Sequence, residues 1–275
     1  MRVGVGSWTF PWAIGVPGYP APADPLSLAG LLDRASELGV SVVQVADNLP
    51  LEGAGEEELR RFRDAARERN IAIEAGTRGV EPAHLLRYLE IARFLDARLL
   101  RTLTHTRDSR PDLPQIESWI REVLPAFEDA GVALALENYE RHSCGELVGL
   151  IESIGSPYVG ICLDTVNSLG ALEGPREVVL QLASYVLNVH VKDFQIRRLE
   201  TMMGYLVTGC AAGEGRLDID WVVGQIKRQG KNVSLIVELW TPFSSGVDET
   251  VALEREWAAR SVRNLRRYEG ESDTA

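Results

Sequence analysis

Four runs in the second half of the chain decide its fold: Val132-Ala133-Leu134-Ala135-Leu136-Glu137, Val159-Gly160-Ile161-Cys162-Leu163-Asp164, Val186-Leu187-Asn188-Val189-His190 and Leu235-Ile236-Val237-Glu238. Each is an apolar stretch of strand length that ends in a side chain able to ligate a metal. Glu137 to Asp164 is 27 residues, Asp164 to His190 is 26, and His190 to Glu238 is 48. The first two gaps each fit one strand–helix unit, and the third fits one unit plus a long loop. That is the pattern of consecutive strands in a closed parallel barrel, where side chains at the C-terminal mouth converge on one pocket. A single acid after a strand is often only the N-cap of the next helix. Four ligating residues in register are harder to explain that way, because three carboxylates buried together without a cation would repel or be protonated. The pattern therefore reads as a hard, mostly oxygen-donor site for one divalent cation, with Glu137, Asp164, His190 and Glu238 as its metal ligands.

The bulk properties agree with that frame. A chain of 275 residues with 45% hydrophobic content is long enough for one large α/β domain with a full core. The net charge of −11, with no block of lysine and arginine, excludes a phosphate-tracking surface, so no nucleic-acid partner is expected. Cys144, Cys162 and Cys210 show no metal-knuckle spacing and read as reduced thiols. No signal pattern opens the sequence and no apolar stretch approaches the ~20 residues of a membrane span. The expectation is a cytoplasmic protein without a membrane partner. One domain is expected over residues 1–268, followed by a polar tail at 269–275.

Outward from the four runs, the strand–helix alternation extends to the whole chain. Strands are expected at 3–7, 40–46, 71–75 and 99–103, and the eighth at 234–239. Helices are expected at 27–38, 56–69, 114–130, 145–154, 175–184, 220–229 and 248–267, with a further one opened by Glu81-Pro82. Helix ends are marked by Gly39 and Gly131. Eight such units, and the lack of a third glycine in Gly4-Val5-Gly6-Ser7-Trp8, favour a single (β/α)8 TIM barrel over a doubly wound nucleotide-binding sheet. Two long loops stand out, at 8–25 and 193–216. The first holds Trp8, Phe10 and Trp12 and is expected to wall the pocket with aromatic faces that bind substrate.

Ala135-Leu136-Glu137-Asn138, Gly160-Ile161-Cys162-Leu163-Asp164-Thr165, Val189-His190-Val191-Lys192-Asp193, Gly213-Glu214-Gly215 and Val237-Glu238-Leu239 resemble the motifs of the xylose-isomerase-like TIM barrels. The resemblance spans essentially the whole chain and implies a single divalent ion, Mn²⁺, Mg²⁺ or Co²⁺ before Zn²⁺. It also implies chemistry on a small-molecule carbohydrate, and it leaves a homo-oligomer open, since dimers and tetramers are common in the group. In its epimerases the two glutamates move protons on opposite faces of the substrate, and a histidine often stands three residues after the aspartate. Here that position is Asn167, a departure from the ketose epimerase pattern. Gly6-Ser7-Trp8-Thr9-Phe10-Pro11-Trp12 and Gln44-Val45-Ala46-Asp47-Asn48 further resemble the subgroup that contains 3-oxo-isoapionate decarboxylase.

Two chemistries fit such a site. A cation that polarises a substrate carbonyl stabilises an enediolate. Glu137 and Glu238 on opposite sides would then serve isomerisation or epimerisation, the family default. Decarboxylation of a 3-oxo sugar acid needs the same stabilisation but only one proton donor. A non-catalytic sugar-binding barrel is the reading from outside enzymology, and the full ligand set weighs against it. Lys192, two residues past His190, should point to the same side as that ligand and act with the glutamates in catalysis. Arg101 and Gln44, inside their strands, Arg78 and His105, past strand ends, and Asn167, three residues after Asp164, complete the expected substrate contacts, with Arg101 the natural clamp for a carboxylate. Glu74 is expected to end the third strand and hold a lysine or arginine, Glu214 to fix the loop after strand seven, and His84 and His142 to stay outside the site. No glycine-rich cradle follows strands seven and eight, which points to an unphosphorylated substrate.

Overall fold

A computed structural model describes residues 1–270. Eight parallel strands close into a barrel: β1 (Arg2–Gly6), β2 (Val42–Val45), β3 (Ala72–Arg78), β4 (Leu99–Leu103), β5 (Ala133–Glu137), β6 (Val159–Asp164), β7 (Val186–Val191) and, after a two-stranded insertion, β10 (Ser234–Val237). β1 pairs with both β2 and β10, which closes the ring. The helices α1 (Pro11–Ile14), α2 (Leu28–Leu38), α3 (Glu56–Glu68), α4 (Pro82–Phe94), α5 (Leu113–Ala130), α6 (Cys144–Ile154), α7 (Pro175–Leu182), α8 (Ile219–Arg228) and α9 (Val247–Leu265) lie in the connections and after the last strand. The protein is a (β/α)8 TIM barrel, and its apolar core lies mainly between strands and helices, with Leu31, Tyr88, Phe127 and Ile120 fully buried. Among the described residues no helix is long and apolar enough to cross a membrane.

Helix boundaries follow local chemistry. Ser27 caps α2 by accepting from Gly30 N at 3.2 Å, and Gly39 ends it in the left-handed region at φ 62°. Ser143 and Glu146 form a reciprocal capping box at the start of α6.

Three expectations need correction. The segment 193–216 is not simply a loop: β8 (Asp193–Arg198) and β9 (Tyr205–Cys210) form an antiparallel hairpin outside the barrel. At its base Asp193 accepts backbone N–H groups from Gly213, Gly215 and Leu217. A Cβ at Gly215 would lie 2.1 Å from Asp193 Oδ1, so only glycine admits this approach. Glu214 meets Arg260 of α9 and ties the same turn to the last helix. Second, β3 runs on to Arg78, so Glu74 sits in mid-strand and meets Gln44 and Ser234 where a lysine or arginine was expected. Third, the segment after β1 is a 3-10 turn followed by α1, pinned by Glu254 of α9, which accepts from Trp12 N and Ala13 N. Of the expected tail, Glu269 accepts from Val3 N, and residues 271–275 lie outside the described residues.

Candidate active site

The mouth of the barrel is built by the pleat of its strands. Glu137 and Asp164 are the last residues of β5 and β6, His190 is the penultimate residue of β7, and Glu238 follows β10 directly. Asp164 and His190 are register partners. All four are buried. His190 Nδ1 lies 3.1 Å from Glu238 Oε1, 3.4 Å from Glu137 Oε2 and 4.0 Å from Asp164 Oδ2. Ligand atoms of Asp164, His190 and Glu238 lie within 4.8 Å of one another. Asp164 Oδ2, His190 Nδ1 and Glu238 Oε1 are buried and form no hydrogen bond of regular geometry, facing the ionic contacts of Lys192 with Asp164 and of His190 with Glu238. Buried donor atoms of hard and borderline character, converging in this way, suit a divalent cation.

Two cations of the protein share the pocket. Lys192 Nζ lies 2.8 Å from Asp164 Oδ2 and 3.0 Å from Glu238 Oε2, donates to Asn167 Oδ1 at 3.2 Å, and sits 5.1 Å from the centre of the Trp240 ring. Burial disfavours its charge, but Asp164, Glu238 and Glu137 outweigh that and hold its pKa well above the usual lysine value. Arg101 pairs with Glu137 and donates to Asp47 Oδ1 and Thr77 O, each at 3.0 Å. Glu137 is therefore engaged at both oxygens, since its Oε1 accepts from Asn167 Nδ2 at 2.7 Å. Burial would raise its pKa; Arg101 and His190 more than reverse this and hold it far below the ordinary carboxylate range. His190 is likewise held above its usual value, burial being outweighed by Cys162, Glu238 and Glu137.

The cavity above these groups is lined by Trp8, Arg78, Arg101, Asn167 and Lys192 among the expected residues, and by Leu103, Tyr139 and Trp240 among those not singled out. Tyr139 and Trp240 had a legible cue. Each lies two residues past a candidate ligand, as Lys192 does past His190 (Glu137-x-Tyr139, Glu238-x-Trp240), and so emerges on the same side. Asp47 is the other unassigned member. It accepts from Trp8 Nε1, Arg78 Nε and Arg101 and binds the three into one unit.

Four expected contacts lie off the cavity wall. Phe10 is 2% exposed within the hydrophobic core, and Trp12 is buried with its indole N–H on Thr241 O at 2.7 Å and its ring against Tyr19 and Phe243. Gln44 sits behind His190 inside the barrel. His105 stands 5.9 Å from the Tyr139 ring; burial and the nearby Arg78, Arg141 and Arg110 push its pKa down to about 4. His84 bonds Thr77 Oγ1, and His142 is buried with Nε2 unpartnered, both away from the cavity.

Residues 32–268 match the family described as Xylose isomerase-like TIM barrel. The chain belongs to that family. It is 37% identical over 267 residues to 3-oxo-isoapionate decarboxylase of Pectobacterium atrosepticum, covering 96% of this chain and 95% of that protein. D-Psicose 3-epimerase from Clostridium cellulolyticum H10, solved with D-tagatose, superposes with a TM-score of 0.72 at 15% identity over 98% of this chain and 99% of that one. A xylose isomerase-like TIM barrel protein from Mycobacterium smegmatis, in complex with magnesium, gives 0.63 at 16% identity over 95% and 96%. At these identities the solved structures share the fold alone. The protein is an enzyme of this family; its 37%-identical relative is named as a decarboxylase, and the epimerase shares its fold.

Proposed function

We propose that the protein is a divalent-metal-dependent decarboxylase of a 3-oxo sugar acid. The observation that carries the reading is the engagement of Glu137. Epimerisation by two glutamates needs a base on each face of the substrate. Glu137 is tied by Arg101 at one oxygen and by Asn167 at the other, so neither oxygen stands free to take up a substrate proton. Asn167 itself replaces the histidine common in the epimerases. Decarboxylation needs one proton donor, and the mouth supplies Glu238 and Lys192 on one side. The 37% identity to a 3-oxo-isoapionate decarboxylase over nearly the full chain supports the same choice.

Glu137, Asp164, His190 and Glu238 would hold the cation. When bound, it supplies Lewis-acid polarisation of the substrate carbonyl. The chain's own groups do the rest. Arg78, its Nε on Asp47 and its side chain 35% exposed on the cavity wall, meets the substrate acid group. Arg101 is 3% exposed and already committed to Glu137 and Asp47, so it orders the site and leaves the acid to Arg78. As the carbon–carbon bond to carbon dioxide breaks, its electron pair moves into the carbonyl. The Lys192 ammonium stays charged and donates to the oxygen that gains charge. One proton from solvent, passed through Glu238 in contact with Lys192, then adds to the carbon that has lost carbon dioxide as the carbonyl re-forms. Trp8, Tyr139 and Trp240 narrow the cavity above these groups and limit water.

The test is carbon dioxide release from a panel of 3-oxo sugar acids, with Mn²⁺ added or removed by chelator. Release that requires metal is the expected result. Release unchanged after chelation would remove the metal from the reading, and turnover of ketoses without carbon dioxide would replace it with isomerisation.

A further inference from the structure

Below the mouth, inside the barrel, three polar side chains form a chain that ends on His190. We propose that Ser234, Glu74 and Gln44 form a hydrogen-bonded relay that fixes the His190 proton on Nε2 and so turns the Nδ1 lone pair toward the cation pocket. This rests on the reading of His190 as a metal ligand.

Ser234 Oγ donates to Glu74 Oε1 at 2.5 Å, Gln44 Nε2 donates to Glu74 Oε2 at 3.0 Å, and Gln44 Oε1 faces His190 Nε2 at 2.7 Å. None of the four is more than 6% exposed. An amide side chain has one donating and one accepting end. With its donating end on the Glu74 carboxylate, Gln44 presents only a carbonyl to His190. A carbonyl needs a proton on the facing nitrogen, and a ring that gives up its other proton on binding a cation keeps just that one. Nδ1 is thereby left as the lone-pair nitrogen, and it is the ring atom that faces Glu238, Glu137 and Asp164.

The fold builds the relay deliberately close. Gln44 and Glu74 are register partners on β2 and β3, and Ser234 opens β10. Between them β1 presents Gly6, where a Cβ would come within 3.1 Å of Gln44 O and 3.3 Å of the Ile236 side chain, so a bulkier residue would crowd this layer. A carboxylate inside a barrel costs free energy unless it is fully bonded and has a task. No lysine or arginine contacts Glu74 within hydrogen-bonding range among the described residues, and both of its oxygens are spent on holding Gln44 and Ser234. Glu74 and Gln44 are positioning residues: they act on the metal through His190.

The experiment combines calorimetric Mn²⁺ titration of wild type, Glu74→Gln and Gln44→Leu with ¹⁵N-resolved NMR of the histidine rings in Mg²⁺-loaded wild type. The expected ring carries its proton on Nε2. Glu74→Gln can present either end to Gln44, so the amide loses its orientation and Mn²⁺ binding should weaken about 10- to 100-fold, as should Gln44→Leu. Wild-type affinity in both folded variants overturns the relay while leaving the metal reading in place. If either variant fails to fold, the ring measurement on wild type still decides, because a proton on Nδ1 overturns the relay. A wild type that binds no Mn²⁺ removes the cation site, and the relay with it.

Discussion

The two halves of the barrel mouth are built differently. β5, β6, β7 and β10 each deliver one candidate ligand at or just past the strand end, and those of β6, β7 and β10 keep an atom without a regular hydrogen bond. β1 to β4 and their connections deliver Trp8, Asp47, Arg78 and Arg101, and here Asp47 accepts from the other three. One half is open for a cation. The other is closed on itself and presents an arginine to the substrate. Glu137 is the contact between them: it belongs to the ligand half by position and to the arginine half by its bond to Arg101. The lesson is that the acids of the mouth do not fix the reaction by themselves, because the opposing half decides how freely each glutamate can take a proton.

The largest expected effect breaks the ligand half. Glu238→Gln should lower turnover about 10²- to 10⁴-fold and weaken Mn²⁺ binding while melting near wild type. Steady-state rates and calorimetric titration check both, and wild-type turnover would exclude Glu238 from the site. Next comes the junction. Asp47→Asn leaves Arg78 and Arg101 each short of one charged partner, so stability should fall by about 2 kcal/mol in urea unfolding, with weaker substrate binding. Arg78→Ala tests the open face of the arginine half alone. KM for the acid should rise about 10- to 100-fold, with kcat falling less. A fall in kcat at constant KM would instead assign Arg78 to the chemistry.

The smallest effect lies outside both halves. Glu254 anchors the segment after β1, and burial, opposed by bonds from Trp12 N and Ala13 N, pushes its pKa up from 4.5 to about 8. A carboxyl raised on folding contributes stability that is fully present below pH 4.5 and is lost as pH rises through 8. Thermal melts from pH 5 to 9 should therefore slope downward in wild type, and the slope should flatten in Glu254→Gln. Equal slopes would remove the anchor's pH dependence.

The comparison also shows what sequence could and could not convey. The strand period put Glu137, Asp164, His190 and Glu238 at one mouth and Lys192 beside them, because a side chain's face follows from its place in the pleat. What a side chain meets across the barrel is not carried by spacing. Arg101 read as a substrate clamp from its strand alone, yet Glu137 and Asp47 occupy it. Glu74 read as a strand end because the apolar run stops at Ala75, whereas the ladder continues through Gly76, Thr77 and Arg78. The aromatics of the first long loop divided by tertiary packing: Trp8 faces the cavity, while Phe10 and Trp12 turn away from it. The hairpin was hidden because β8 sets Phe194 and Ile196 among Asp193, Gln195, Arg197 and Arg198, and the apolar run of β9, Tyr205-Leu206-Val207, is only three residues long.

The most direct test of the central claim is proton NMR of the Mg²⁺-loaded enzyme in D₂O with a 3-oxo sugar acid and a panel of ketoses. With Glu137 held by Arg101 and Asn167, the expected result is loss of one carbon as carbon dioxide and a single deuterium at the carbon that bore the carboxyl group, with the ketoses unlabelled. Deuterium entering a ketose next to its carbonyl, with the carbon skeleton intact, would show proton exchange by the glutamate pair and contradict the account.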